Sequence, residues 1–134
     1  MNKETSGSDL PIILVMDDDK PVREVMRKML ERIGNTVEAF ATGEEAVERY
    51  RFLLNANTPA DLVILDMTVP KAMGGLEAAA IILEMDPSAK VMIASGNIND
   101  PALQNFQDKG IKGLVDKPFS VERLKRIVSE ILQN

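Results

Sequence analysis

The chain has no cysteine and no histidine. Without cysteine it has no disulfide, no thiol nucleophile and no cysteine zinc site. Without histidine it lacks an imidazole-based triad, the usual transition-metal ligand and any phosphohistidine of its own. Its chemistry must therefore run on carboxylates, hydroxyls, lysine and oxygen-bound metal. Positive charge is also short: 16 basic against 21 acidic residues leave a formal charge of −5, which argues against direct clamping of nucleic acid. No apolar run approaches the roughly 20 residues needed to span a bilayer, and the polar start Met1 to Ser8 has no signal-peptide core. The reading is a cytoplasmic protein without direct membrane contact. With 134 residues and 45% hydrophobic composition, the chain fits one domain with a sizeable core.

Residues 1–9 are small and polar and read as a flexible tail, with one domain over residues 10–134. From Pro11 the pattern alternates strand and helix. Ile12 to Met16 is a strand, and Pro21 suits the first turn of a helix carrying Val22, Val25, Met26, Met29, Leu30 and Ile33 up to Gly34. Thr36 to Phe40 is a second strand. Thr42 and Glu45 have capping-box spacing for a helix to about Asn55. Asp61 to Asp66 is almost unbroken in its apolar character, as expected of a strand buried on both faces. A loop through Gly74-Gly75 precedes a third helix ending near Asp86-Pro87, and Val91 to Ala94 is a fourth strand. Asp100-Pro101 looks like a cap and first-turn proline of a fourth helix whose only apolar residues are Leu103 and Phe106. A fifth strand ends at Asp116, and Ser120 caps a last helix bearing Leu124, Ile127, Val128, Ile131 and Leu132. Five strands alternating with five helices predict an α/β fold with a parallel sheet covered on both sides.

Ligands of such sheets bind outside the carboxyl ends of the strands. Those ends carry Asp17, Asp18, Asp66, Ser95 and Lys117. Alone, each has an ordinary explanation: Asp17 to Asp19 as a polar turn, Ser95 as a turn hydroxyl, Lys117 as a solvated side chain. Together they make a site. Like charges about 5 Å apart repel by about 3 kcal/mol at an effective dielectric near 20, and a hard cation relieves that repulsion. Magnesium, which prefers few carboxylates, several waters and phosphate oxygens, suits the set. The lysine and hydroxyl remain for an anion. Lys117-Pro118 is a candidate cis peptide. Met16, Met26, Met29, Met85 and Met92 read as core, whereas Met67 and Met73 border the pocket mouth.

The paired acids Asp17-Asp18, the strand Leu62 to Asp66 followed by Pro70 and Gly74, Ser95 after the fourth strand, and Lys117-Pro118-Phe119 resemble the receiver domain of two-component response regulators. The match runs from about Pro11 to Leu132. The run Asp66-Met67-Thr68-Val69-Pro70-Lys71-Ala72-Met73-Gly74-Gly75 is most similar to receivers attached to hybrid sensor histidine kinases. The sheet order 2-1-3-4-5, flavodoxin-like, is what this resemblance implies. It further implies that Asp66 is the phosphoacceptor in a phosphorelay. Asp17, Asp18, Asp66 and the backbone carbonyl of Thr68 would hold Mg2+, and Lys117 and Ser95 would bind the phosphoryl oxygens. The partner would be a histidine kinase or histidine phosphotransfer protein, and the chain a monomer or weak dimer. It would be no enzyme in the usual sense, only assisting its own phosphorylation and dephosphorylation.

One departure stands out: three positions before the lysine, where receivers often carry an aromatic, this chain has Leu114. A pseudo-receiver, with structural acids and a binding role, is the alternative. An aspartyl phosphohydrolase is disfavoured because Thr68 stands where that family has a second aspartate. A flavodoxin-like carrier is disfavoured because the first strand ends in acids instead of a glycine-rich phosphate loop.

Overall fold

A computed structural model describes residues 10–133, so the expected tail over residues 1–9 lies outside the described residues. The elements are β1 (Ile12–Met16), α1 (Lys20–Arg32), β2 (Thr36–Phe40), α2 (Gly43–Asn55), β3 (Leu62–Asp66), α3 (Gly75–Met85), β4 (Val91–Ser95), β5 (Gly113–Asp116) and α4 (Val121–Leu132). The sheet is parallel with order β2-β1-β3-β4-β5.

Alternation along the strands sends successive side chains to opposite faces. Leu14, Met16, Val63, Leu65, Val91 and Ile93 pack with α2 and α3. Ile13, Val15, Leu62, Ile64, Met92 and Val115 pack with α1 and α4. Both layers are apolar because both faces are covered, which is why β3 and β4 are buried throughout. The helix starts follow local chemistry. Asp19 accepts from Val22 N at α1, Thr42 and Glu45 form a reciprocal capping box at α2, and Ser120 accepts from Arg123 N at α4. Gly34 adopts φ 103°, a left-handed turn that ends α1 without steric penalty.

Two expectations fail. No α-helix joins β4 to β5 among the described residues; the segment forms two 3-10 turns, Pro101–Leu103 and Phe106–Lys109. The Asp100 cap does form, accepting from Ala102 N at 2.8 Å. Propagation then stops at Asn105, which is left-handed (φ 61°, ψ 29°), and two apolar residues give too little buried surface to enforce a helix. Val25, placed by its spacing on the apolar face of α1, is instead 50% exposed.

Candidate acidic site at the carboxyl edge of the sheet

Register builds the site. Met16 lies beside Leu65, so the next residues, Asp17 and Asp66, are neighbours; Asp66 lies beside Ala94, and Ser95 beside Asp116, one residue before Lys117. Asp17, Asp66 and Ser95 are buried, at 0%, 7% and 6% exposure, while Asp18 is exposed. Carboxylate oxygens of Asp17, Asp18 and Asp66 lie within 4.8 Å of one another. At that spacing each ionised pair repels by about 3 kcal/mol at an effective dielectric near 20.

Lys117 partly offsets this. Its Nζ donates to Asp17 Oδ2 at 2.9 Å and to Asp66 Oδ1 at 3.1 Å. The Lys117-Pro118 peptide is cis. Burial raises the Asp66 carboxyl above its usual range; the Lys117 bond opposes that rise, and the charges of Asp17 and Asp18 add to it. Burial alone would lower the Lys117 ammonium, but its bonds to Asp17 and Asp66 outweigh this and raise it.

The backbone around the acids is held from several sides. Asp17 N donates to Phe40 O, Asp19 N donates to Asp17 Oδ1, and Arg23 Nη1 donates to Asp17 O at 2.8 Å. After β3 the chain folds so tightly that a Cβ on Gly75 would lie 2.4 Å from Asp66 O, and one on Gly74 would lie 2.6 Å from Met67 O. Only glycine fits there. Thr68 lies exposed on this loop, and its carbonyl accepts no hydrogen bond from the described residues. Ser95 bonds within its own loop. Its Oγ accepts from Asn97 N at 3.0 Å, donates to Asn97 O at 3.1 Å and sits 3.7 Å from Met67 Sδ. Leu114 is half-buried against the α2–α3 core.

All the side chains singled out from the sequence thus lie at one edge of the sheet. Sequence reasoning missed Arg23, legible only as an arginine one helical turn beyond the Asp19 cap. It also missed a groove of ≈ 420 Å³ beside Lys117, lined by Pro21, Val22, Val25, Met29, Pro118 and Phe119. The donor set of three clustered carboxylates and an open carbonyl fits a hard, oxygen-loving cation.

A flavodoxin-like parallel sheet with clustered acids, a lysine and a hydroxyl at its carboxyl edge defines the class of fold and site. The response regulator receiver domain family matches residues 13–129, and the chain belongs to it. It is similar to the chemotaxis protein CheY of Thermotoga maritima, 29% identical over 120 residues covering 89% of this chain and 95% of that one. It is 36% identical to the C4-dicarboxylate transport transcriptional regulatory protein DctD of Rhizobium meliloti, covering 87% of this chain but 24% of that larger protein. Among solved structures it resembles a CheY-like receiver domain protein from Methanospirillum hungatei, with TM-score 0.82, 25% identity and coverage of 93% and 95%. It also resembles a chain of the CheX-CheY-BeF3-Mg+2 complex from Borrelia burgdorferi, with TM-score 0.81, 26% identity and coverage of 90% and 88%. The chain is a two-component signalling domain. Among the described residues no helix is long and apolar enough to cross a membrane.

Proposed function

We propose that Asp66 accepts a phosphoryl group from a phosphohistidine on a histidine kinase or histidine phosphotransfer protein. The observation that carries this reading is the buried Asp66 carboxylate, clustered with Asp17 and Asp18 and bonded to Lys117. An Asp66 carboxylate oxygen forms the P–O bond as the P–N bond breaks, and the bonding pair leaves with the imidazole. The donor must be another molecule or domain, since this chain has no histidine.

Asp17, Asp18, Asp66 and the Thr68 carbonyl would hold Mg2+, which when bound supplies charge neutralisation for the transferring phosphoryl oxygens. Lys117 would exchange its carboxylate partners for a phosphoryl oxygen. Ser95 would turn from Asn97 to another. The same arrangement would let water attack the acyl phosphate, so the domain would assist its own dephosphorylation. The apolar groove with exposed Val25 adjoins Lys117 and offers the partner's helices a dry contact next to the transferring group. The setting for this exchange is cytoplasmic, with residues 10–134 as the receiver unit.

Incubation with magnesium and acetyl phosphate, followed at once by intact-mass measurement, should show one added phosphoryl group. The mass shift should vanish in Asp66→Asn and on chelation. A modification surviving Asp66→Asn would defeat the assignment, and no modification at all would favour the pseudo-receiver.

A further inference from the structure

The Thr68 carbonyl lies on a loop with little structure of its own. Met67 O accepts from Gly75 N at 3.0 Å, which closes the loop into a ring at the carboxyl end of β3. From Thr68 to Ala72, among the described residues, the backbone carries one hydrogen bond, Ala72 N to Val69 O at 3.4 Å. Val69 is buried, whereas Thr68, Pro70 and Lys71 are exposed, and Lys71 is left-handed with φ 61°. A carbonyl that is to meet a metal ion works best when groups behind it fix its position. Its own turn supplies few of them.

The missing support comes from α2. Met73, on the far arm of the ring, is held by both of its backbone groups: its N–H donates to Glu44 Oε1 at 3.2 Å, and its carbonyl accepts from Gly43 N at 3.0 Å. Gly43 N is one of the amides that a helix start leaves without an intrahelical acceptor, and the loop takes it up. The approach is close. A Cβ at residue 43 would lie 2.7 Å from Met73 O and 2.9 Å from Met73 Cγ, so a side chain there would force the loop away. The two neighbouring acids have separate tasks: Glu45 is committed to the capping box with Thr42, and Glu44 reaches the loop. Behind them α2 is anchored in the core by Ala46, Val47, Tyr50 and Leu53. The loop is thus clamped to a rigid element.

We propose that Glu44 and Gly43 are positioning residues for the cation, holding the loop that presents the Thr68 carbonyl without touching the ion themselves. This deepens the reading in which Asp17, Asp18, Asp66 and the Thr68 carbonyl hold Mg2+, and rests on it. Glu44 acts through its accepting oxygen, because its charge is exposed and therefore screened by salt. Glu44→Gln keeps an oxygen for the Met73 N–H. Glu44→Ala removes it and leaves the amide to water. The coupling is reciprocal, so the clamp and the bound cation strengthen each other.

The test is a calorimetric titration of magnesium into the whole chain at physiological salt, with amide hydrogen exchange and urea unfolding measured on the same samples. Glu44→Ala should bind magnesium about tenfold more weakly, Glu44→Gln should match the parent, and Gly43→Ala should lose at least as much as Glu44→Ala. In the parent, magnesium should slow exchange of the Met73 amide. Glu44→Ala binding as tightly as the parent overturns the clamp and leaves the metal reading intact, even if its stability falls, because support of the fold alone would not change affinity. Glu44→Gln as weak as Glu44→Ala also overturns it, since charge would then be the cause. So does a Met73 amide whose exchange magnesium leaves unchanged. Asp18→Ala separates the two readings, because it removes a proposed ligand and leaves the clamp untouched. Magnesium binding that survives Asp18→Ala undiminished, or a parent that binds none, defeats the metal reading and the positioning role with it.

Discussion

Two carboxylates at opposite ends of the sheet show how differently this fold treats acids. Asp66, at the carboxyl edge, is crowded by Asp17 and Asp18 and has one lysine shared with Asp17. Asp86, beyond α3 at the amino edge, accepts from Tyr50 Oη at 2.5 Å, Ser88 Oγ at 2.8 Å and Ser88 N at 3.1 Å. The Tyr50 bond, helped by Ser88, holds the Asp86 carboxyl below its usual range, whereas burial lifts Asp66 above it. The Tyr50 phenol is raised, first by its burial and then by Asp86. One acid is satisfied by the protein and contributes stability. The other is crowded by like charge and shares its one lysine, which suits the phosphoacceptor role proposed for it.

The largest effect should come from Lys117→Met. Without the ammonium, Asp17 and Asp66 face each other unpaired and buried, and apo stability should fall by about 3 kcal/mol in urea titrations. Added magnesium should restore much of that loss; equal losses with and without magnesium would show that the lysine is merely structural. Asp86→Ala comes next. It leaves the hydroxyl of Tyr50, 1% exposed, without its acceptor, for a loss of about 2 kcal/mol that magnesium should not restore. Asp66→Asn should act in the opposite sense, stabilising the apo protein by about 1 kcal/mol because repulsion is relieved while Lys117 keeps Asp17. A destabilisation matching that of Asp86→Ala would erase the contrast between the two ends.

The smallest effect is on the pH profile, and its sign differs at the two ends. Because the folded pKa of Asp66 is raised, its stabilising contribution is complete below the unfolded value near 3.8 and is lost as pH rises through the folded value. Because that of Asp86 is lowered, its contribution is present above the same unfolded value and is lost as pH falls through the folded one. Thermal melts of the apo protein should therefore improve as pH falls through the folded value of Asp66 and worsen as it falls on through that of Asp86. Asp66→Asn should remove the improvement, and Asp86→Ala should blunt the later decline.

Much of the candidate site was legible because parallel strands end where apolar runs end, and those ends carry Asp17, Asp66, Ser95 and Lys117. The Thr42 and Ser120 caps were legible for the same local reason, since a short polar side chain three residues before a free N–H is sufficient. Val25 was misjudged because helical spacing gives a stripe but not its width, and the layer beneath α1 covers only part of it. The missing helix is more instructive. Its cap was read correctly and does form, but whether a capped turn propagates depends on how much apolar surface its neighbours offer, and that is a tertiary quantity.

By itself the sequence determined the alternation of strand and helix, the two-sided burial of the sheet and the identity of the groups at its carboxyl edge, because these follow from periodicity and local hydrogen bonding. Only the tertiary structure decided that Lys117 spans Asp17 and Asp66, that Ser95 Oγ pairs with the Asn97 backbone, that Arg23 grips the Asp17 carbonyl, and that the chain breaks at Asn105. Each of these depends on which of several available partners lies nearest after packing, and that choice is made by the whole fold.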